Sequence, residues 1–227
     1  SAQAATDPES GSGPVPASPE EVAKGDMLLE IGTEELPPAD VQRGLEQLTA
    51  LVSERLAAPR LSHGEVKVTG TPRRLVAQVS DLVGRQPDEA RWVRGPAAKS
   101  AYDAEGKPTR ALEGFCRGQK VDPASVEQRT DEKGVAYVYA LREESGRLAQ
   151  EILAEVLPEM IGDLSFPKPM RWDSDGVAFS RPIRWLVALF GGDVIPFSYA
   201  GVQSGRTSRG LRPDRSPSVP IPAAGGY

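Results

Sequence analysis

Apolar residues at Val41, Leu45, Leu48, Leu51, Val52 and Leu56 recur every three or four positions, with polar residues between them. That spacing predicts a helix over residues 39–57. Ahead of it, Met27-Leu28-Leu29-Glu30-Ile31-Gly32 is a short apolar run closed by glycine, the pattern of a strand. Thr33 to Pro38 joins the two as a turn. Glu65–Thr69 and Leu75–Val79 alternate at period two and predict strands on either side of Gly70-Thr71-Pro72-Arg73-Arg74. Residues 91–95 form a further short strand. Asp103 to Pro108 is a turn, after which Thr109 caps a helix reaching about Arg117. Val126–Thr130 and Val135–Leu141 bracket Asp131-Glu132-Lys133-Gly134, a hairpin signal. Helical spacing returns over 147–164, and Pro158 inside it predicts a kink or a split. Ile183–Phe190 is a buried strand or helix segment, Val194–Ala200 a strand, and Gly205–Arg212 a basic loop. Helices and strands are interspersed without a regular βαβ rhythm. The fold class is therefore α+β, a mixed and mostly antiparallel sheet with packed helices.

The ends read differently. Residues 1–25 are Ala, Ser, Pro, Gly and Glu with almost no large apolar side chains, too little to offset their ordering entropy. They read as a disordered linker. They hold no arginine and no apolar core of the kind that targeting peptides carry. The first residue is not methionine, which points to a processed protein or a piece excised from a longer one. Residues 213–227 read as a linker-like tail. The folded region is then 26–212, with a division near 118 if it holds two subdomains. No apolar run in the 227 residues approaches the roughly 20 needed to span a membrane.

Charge and chemistry narrow the function. The net charge of −5 argues against a free-standing, non-specific nucleic-acid binder. Its distribution is uneven, however. Residues 1–62 hold 4 Lys/Arg against 11 Asp/Glu, and 119–165 hold 5 against 10. Residues 68–118 hold 9 against 6, and 166–212 hold 7 against 3. One cysteine and one histidine exclude an intramolecular disulfide and speak against a Cys/His zinc site. Cys116 reads as a small buried residue on a short helix, and His63 as an exposed loop residue. Glu34-Glu35, and Asp173 and Asp175 in a turn, read as structural carboxylates. No phosphate-binding glycine loop, nucleophile elbow or HExxH motif occurs, so no catalytic constellation is present.

Arginine beside tryptophan recurs instead. Pro169-Met170-Arg171-Trp172 is echoed by Pro182-Ile183-Arg184-Trp185, and Arg91-Trp92-Val93-Arg94 places an indole between two guanidinium groups. Pro72-Arg73-Arg74 sits between two strands, and Arg206, Arg209 and Arg212 are spaced by three. Guanidinium groups bind phosphate bidentately and stack on rings or bases. They also stabilise the edge of a core by cation–π contact. Trp172 and Trp185 read as core anchors, and the 206–212 segment as a polyanion or partner contact.

Several ordered motifs then resemble one family. Leu28-Leu29-Glu30-Ile31-Gly32-Thr33-Glu34-Glu35-Leu36-Pro37, Thr71-Pro72-Arg73-Arg74-Leu75, Phe166-Pro167-Lys168-Pro169-Met170-Arg171-Trp172, Phe179 to Leu189 and Ser204-Gly205-Arg206-Thr207-Ser208-Arg209-Gly210 resemble the amino-terminal region of the bacterial and plastid type of glycyl-tRNA synthetase β subunit. The resemblance runs over residues 27–212. It implies a non-catalytic part of glycine–tRNA ligase that contacts tRNA and the α subunit, inactive alone. The alternative is a structural or interaction module held in a larger assembly without tRNA binding. ATP and Mg²⁺ are implied for the catalytic α part, with no cofactor in this segment. The implied partners are tRNA(Gly), an α subunit or fused α region, and the rest of β, in an α2β2-like assembly or a dimer of fused chains. The linker before Met27 resembles an α–β junction and favours a plastid or mitochondrion, with the bacterial cytoplasm as alternative. The residues expected to meet tRNA are Arg73, Arg74, Arg206 and Arg209. Arg171, Arg184 and Arg94 are expected to contact tRNA or a partner.

Overall fold

The apolar run beginning at Met27 becomes the centre of the molecule. The structure is a computed structural model that describes residues 23–132, 134–171, 176–210 and 216–227. Most of the expected linker, Trp172, the Asp173–Asp175 turn and Arg212 lie outside the described residues. In chain order the elements are β1 (Lys24–Thr33), α1 (Pro38–Ala57), β2 (Val66–Thr71), β3 (Arg74–Val83), β4 (Glu89–Ala97), α2 (Ala98–Ala101), α3 (Arg110–Gln119), β5 (Glu127–Thr130), β6 (Ala136–Glu144) and α4 (Ala149–Asp163). There follow β7 (Met170–Arg171), β8 (Ala178–Phe179), β9 (Ile183–Phe190), β10 (Asp193–Val194), β11 (Ser198–Tyr199), β12 (Val202–Gly205), β13 (Thr207–Arg209) and β14 (Ser218–Pro220). The α+β expectation holds.

The main sheet runs β11-β12-β9-β1-β3-β2, with β10 also on β9. All its pairings are antiparallel except β12 on β9. Its two faces are filled from different parts of the chain. Met27, Leu29 and Ile31 of β1 join Leu75, Ala77 and Val79 of β3 against Leu48, Val52 and Leu56 of α1 and Leu153, Leu157 and Met160 of α4. Leu28, Val76, Trp185, Val187 and Leu189 face the opposite way, onto Ile221 and Ala224. Because β1 is covered on both faces, its sequence is a continuous apolar run and not an alternation. Pro38 opens α1 at a position where no backbone donor is needed.

A second sheet, β4-β6-β5, stands apart with its own cluster of Ala101, Leu112, Cys116 and Val138. The chain leaves the first body at Gln86 and returns at Arg147, and the Gln86 amide donates to the Arg147 carbonyl at 2.9 Å. The second body is therefore an insertion spanning β4 to β6. Position 118, the expected division, falls inside α3.

Other expectations need correction. Val194–Ala200 is not one strand: Pro196 cannot donate to a ladder, and β10 and β11 lie on either side of it. The basic loop at 205–212 is, where described, the end of β12 followed by β13. Residues 216–227 are not linker-like, because they contribute β14 and bury Ile221 and Ala224. Pro158 does not split α4, whose buried Ile152, Leu153, Leu157, Met160 and Ile161 hold it against the sheet. Thr109 gives α3 no side-chain cap; its hydroxyl donates to the Ser100 carbonyl at 2.7 Å. His63 is half-buried in its loop.

Candidate nucleic-acid interface

The site grows from one carboxylate inside the apolar strand. Glu30 is fully buried on the second face of β1. A charge there requires partners, and three arrive from distant segments. Trp185 Nε1 donates to Glu30 Oε1 at 2.6 Å, Ser208 Oγ donates to the same oxygen at 2.7 Å, and Arg74 Nη1 lies 3.3 Å away. Glu30 Oε2 has no hydrogen-bond partner among the described residues. The indole reaches the carboxylate because Gly32 leaves room: a Cβ there would sit 1.9 Å from the Trp185 ring. The guanidinium carbons of Arg73 and Arg74 lie 5.7 and 5.6 Å from the centroid of that ring. Trp185, 7% exposed, is thus a core anchor as expected and also a floor for both arginines.

Beside this network lies a cavity of about 830 Å³, walled by the β2–β3 turn, β13, β14 and Tyr227. Arg73, Arg74 and Arg209 line it together with Glu35, Val76, Val219 and Ile221. Arg73 Nη1 donates to Ser216 Oγ at 2.9 Å, while its Nε is buried without a hydrogen-bond partner among the described residues. Arg209 Nη1 donates to Ser218 Oγ at 3.2 Å. Arg74 is more completely held. It donates to Ser208 Oγ at 3.0 Å and to the Arg209 carbonyl, and its side chain is 19% exposed. Burial pushes the Tyr227 phenol up; its hydrogen bond from Arg74 pulls the other way, and the Glu30 charge adds to the rise.

The remaining expected residues do not line the cavity. Arg206 donates to the carbonyls of Pro222 at 3.2 Å and Gly192 at 2.9 Å, so it pins the C-terminal segment to the sheet. Arg184 pairs with Glu34 at 2.9 Å in an exposed bridge. Arg171 is exposed on β7. Arg94 belongs to the second sheet, 3.5 Å from the centroid of Tyr137. The indole of Trp92 is stacked by Arg129 from β5 and not by Arg91 or Arg94. Glu30, Ser208 and Tyr227 were not expected at the site. Only Glu30 carried a readable signal, a lone acid in an otherwise apolar run. Among the described residues no three His, Cys, Asp or Glu side chains gather as metal ligands, and no helix is long and apolar enough to cross a membrane. The arrangement offers guanidinium donors beside an apolar cleft, which suits a phosphate-bearing ligand better than proton transfer.

Comparison with known proteins gives the family. A family model described as glycyl-tRNA synthetase beta subunit matches residues 27–227. The chain is 48% identical over 187 residues to a glycine–tRNA ligase beta subunit of Geobacter metallireducens, covering 82% of this chain and 27% of that protein. It is 49% identical over 201 residues to the Arabidopsis thaliana protein named glycine–tRNA ligase, chloroplastic/mitochondrial 2, covering 88% of this chain and 19% of that protein. Identity to the corresponding beta subunit of Desulfitobacterium hafniense is 46% over 187 residues. The chain therefore spans less than a third of the curated relatives it matches.

Proposed function

The chain belongs to the glycyl-tRNA synthetase beta subunit family, and on that premise we propose that it is a non-catalytic, tRNA-facing and α-contacting part of glycine–tRNA ligase. The whole enzyme would attach glycine to tRNA(Gly) at the expense of ATP. ATP and Mg²⁺ would be handled by the α part, and this segment alone would not form an adenylate. The cavity between the β2–β3 turn and β13–β14 supports the reading. On its wall Arg73 and Arg209 have, among the described residues, only serine hydroxyls as side-chain hydrogen-bond partners, so both can exchange them for phosphate oxygens. Arg74 and Arg206 then act as anchors that hold the wall in place. Partners would be tRNA, the α subunit or a fused α region, and the rest of β. The name of the Arabidopsis relative supports an organellar setting.

The test is a tRNA titration at several salt concentrations with Arg73→Ala and Arg209→Ala. Each variant should bind more weakly, with the slope of log affinity against log salt reduced by roughly 0.7 to 0.9. Unchanged affinity and slope in both variants would remove the tRNA-facing role. A second reading, an interaction module held by protein contacts, draws on Arg74 and Arg206, which are satisfied inside the chain. It predicts co-purification with the rest of the assembly at high salt after RNA is removed.

A further inference from the structure

The second sheet carries an open face that the cavity does not explain. Strand pairing sets Trp92 opposite Leu141 and Arg94 opposite Tyr139. It also sets Glu127 opposite Tyr139 and Arg129 opposite Tyr137. Directly paired residues of antiparallel strands point the same way, so these side chains share a face. Val138 and Ala140 point the other way and are buried, Val138 against Leu112 and Cys116. The inner face is therefore filled from α2 and α3. Gly95 permits that approach, since a Cβ there would meet the Phe115 ring at 2.6 Å. The outer face carries Trp92, 37% exposed, with half-buried Tyr137, Tyr139 and Leu141. Two guanidinium groups lie over it. Arg94 is 3.5 Å from the Tyr137 centroid, and Arg129 is 3.9 Å from that of Trp92 and 5.7 Å from that of Tyr139.

We propose that this face is a docking surface for an unpaired RNA strand. The inference rests on the tRNA-facing reading above and names what this surface would take: bases not engaged in pairing. Two features of the face favour that occupant. Rings capped by guanidinium planes on a sheet form a stacking platform, since splayed bases stack on aromatic side chains and on arginine planes alike. A guanidinium free of acidic partners also suits a phosphodiester oxygen. In the middle of the face two guanidinium groups meet one carboxylate, because Arg129 bonds Glu127 whereas Arg94 has no acidic partner among the described residues. Glu143 lies at the far end, opposite Ala90. A protein partner would have to bury both guanidinium groups, which is unfavourable without matched acids. A stacked base leaves their edges open to water and phosphate.

The experiment uses the 227-residue chain with a labelled short oligouridylate, an RNA duplex of the same length, and tRNA. The parent should bind the single strand more tightly than the duplex. Trp92→Ala should weaken oligouridylate binding about tenfold, and Trp92→Phe should recover most of the loss by restoring a ring. Arg94→Ala should weaken it with a shallower salt dependence. Failure to bind the single strand, or equal affinity in the parent and Trp92→Ala, overturns the proposal. So does a Trp92→Ala chain that binds RNA as the parent does but changes its association state in ultracentrifugation, which would mark the face as a protein interface. The two readings separate. If Arg73→Ala weakens tRNA binding while the Trp92 variants leave oligouridylate binding untouched, only this inference falls. If oligouridylate binding depends on Trp92 while tRNA binds no better than the duplex, the tRNA-facing role falls.

Discussion

Arginine meets tryptophan on both sheets, and the settings differ. On the main sheet Trp185 is 7% exposed, its N–H is committed to Glu30, and Arg74 above it is held by that same carboxylate, by Ser208 and by the Arg209 carbonyl. On the inserted sheet Trp92 is 37% exposed and meets Arg129, which reaches it from β5 across β6, in a stack that faces solvent. The same pair of residue types is structural where a buried acid fixes it and available where none does. Local sequence does not separate the cases, because Arg184-Trp185 and Arg91-Trp92 read alike. The difference lies in what arrives from elsewhere in the chain: Glu30 from 155 residues away in the first case, and Tyr137, Tyr139 and Arg129 in the second.

Removing the acid should have the largest effect. Glu30→Ala leaves the Arg74 guanidinium, the Trp185 N–H and the Ser208 hydroxyl without their shared acceptor. Removing one partner of a buried ion pair costs about 3–5 kcal/mol, and the loss should appear as a lower urea midpoint with a similar slope. A loss below about 1 kcal/mol would mean that the network does not hold the main sheet. Next come the two glycines that admit a ring. Gly32→Ala drives a methyl group into the pinned Trp185, and Gly95→Ala drives one into half-buried Phe115. Overpacking costs about 1–3 kcal/mol. Gly32→Ala should fall at the upper end, because the Glu30 bond leaves the indole no room to turn. Equal shifts in thermal midpoint would show that the two rings are equally confined. A smaller effect follows at Trp92. Its replacement by alanine removes exposed stacking worth about 0.5–1 kcal/mol, so stability should hardly change even where RNA binding does.

Much of the architecture was legible because it followed from local pattern. The β1 run, the α1 stripe and the Asp131–Gly134 turn each announce their elements within a few residues. The segment after Phe190 was not, because β10, β11, β12 and β13 are two to four residues long and draw their order from neighbours. A serine- and proline-rich tail reads as linker until Ile221 and Ala224 find the second face of the sheet. At the site, composition gave the arginines but not their fates. Arg206 and Arg209 are three positions apart in one motif, yet the first is bound to backbone carbonyls and the second lines the cavity. Which carbonyl or carboxylate meets a guanidinium is decided by tertiary pairings, 14 residues apart for Arg206 and Gly192 and 135 for Arg74 and Arg209, and periodicity carries no record of them.

The comparison can be sharpened once more through the one thiol, whose effect is the smallest. Cys116 lies 1% exposed in the cluster of the inserted sheet. Burial pushes its thiol above the ordinary range, and Asp122 adds to the shift. The unfolded chain would therefore release the proton first as pH rises through about 8.5, while the folded chain keeps it. The folded state then binds more protons than the unfolded one, so this contribution to stability is full below that pH and fades as pH rises through the folded value. Replacing Cys116 by alanine should reduce the alkaline loss of urea midpoint, leaving neutral pH nearly unaffected apart from the lost packing. The same thiol reports on cooperativity. If the inserted sheet opens independently, Cys116 should react with a thiol reagent at urea concentrations where Trp185 fluorescence still reports a folded main sheet. Coincident transitions would instead show that the Gln86–Arg147 junction couples the two bodies. In that case the solvent-facing stack on the inserted sheet would depend on the buried acid of the main one.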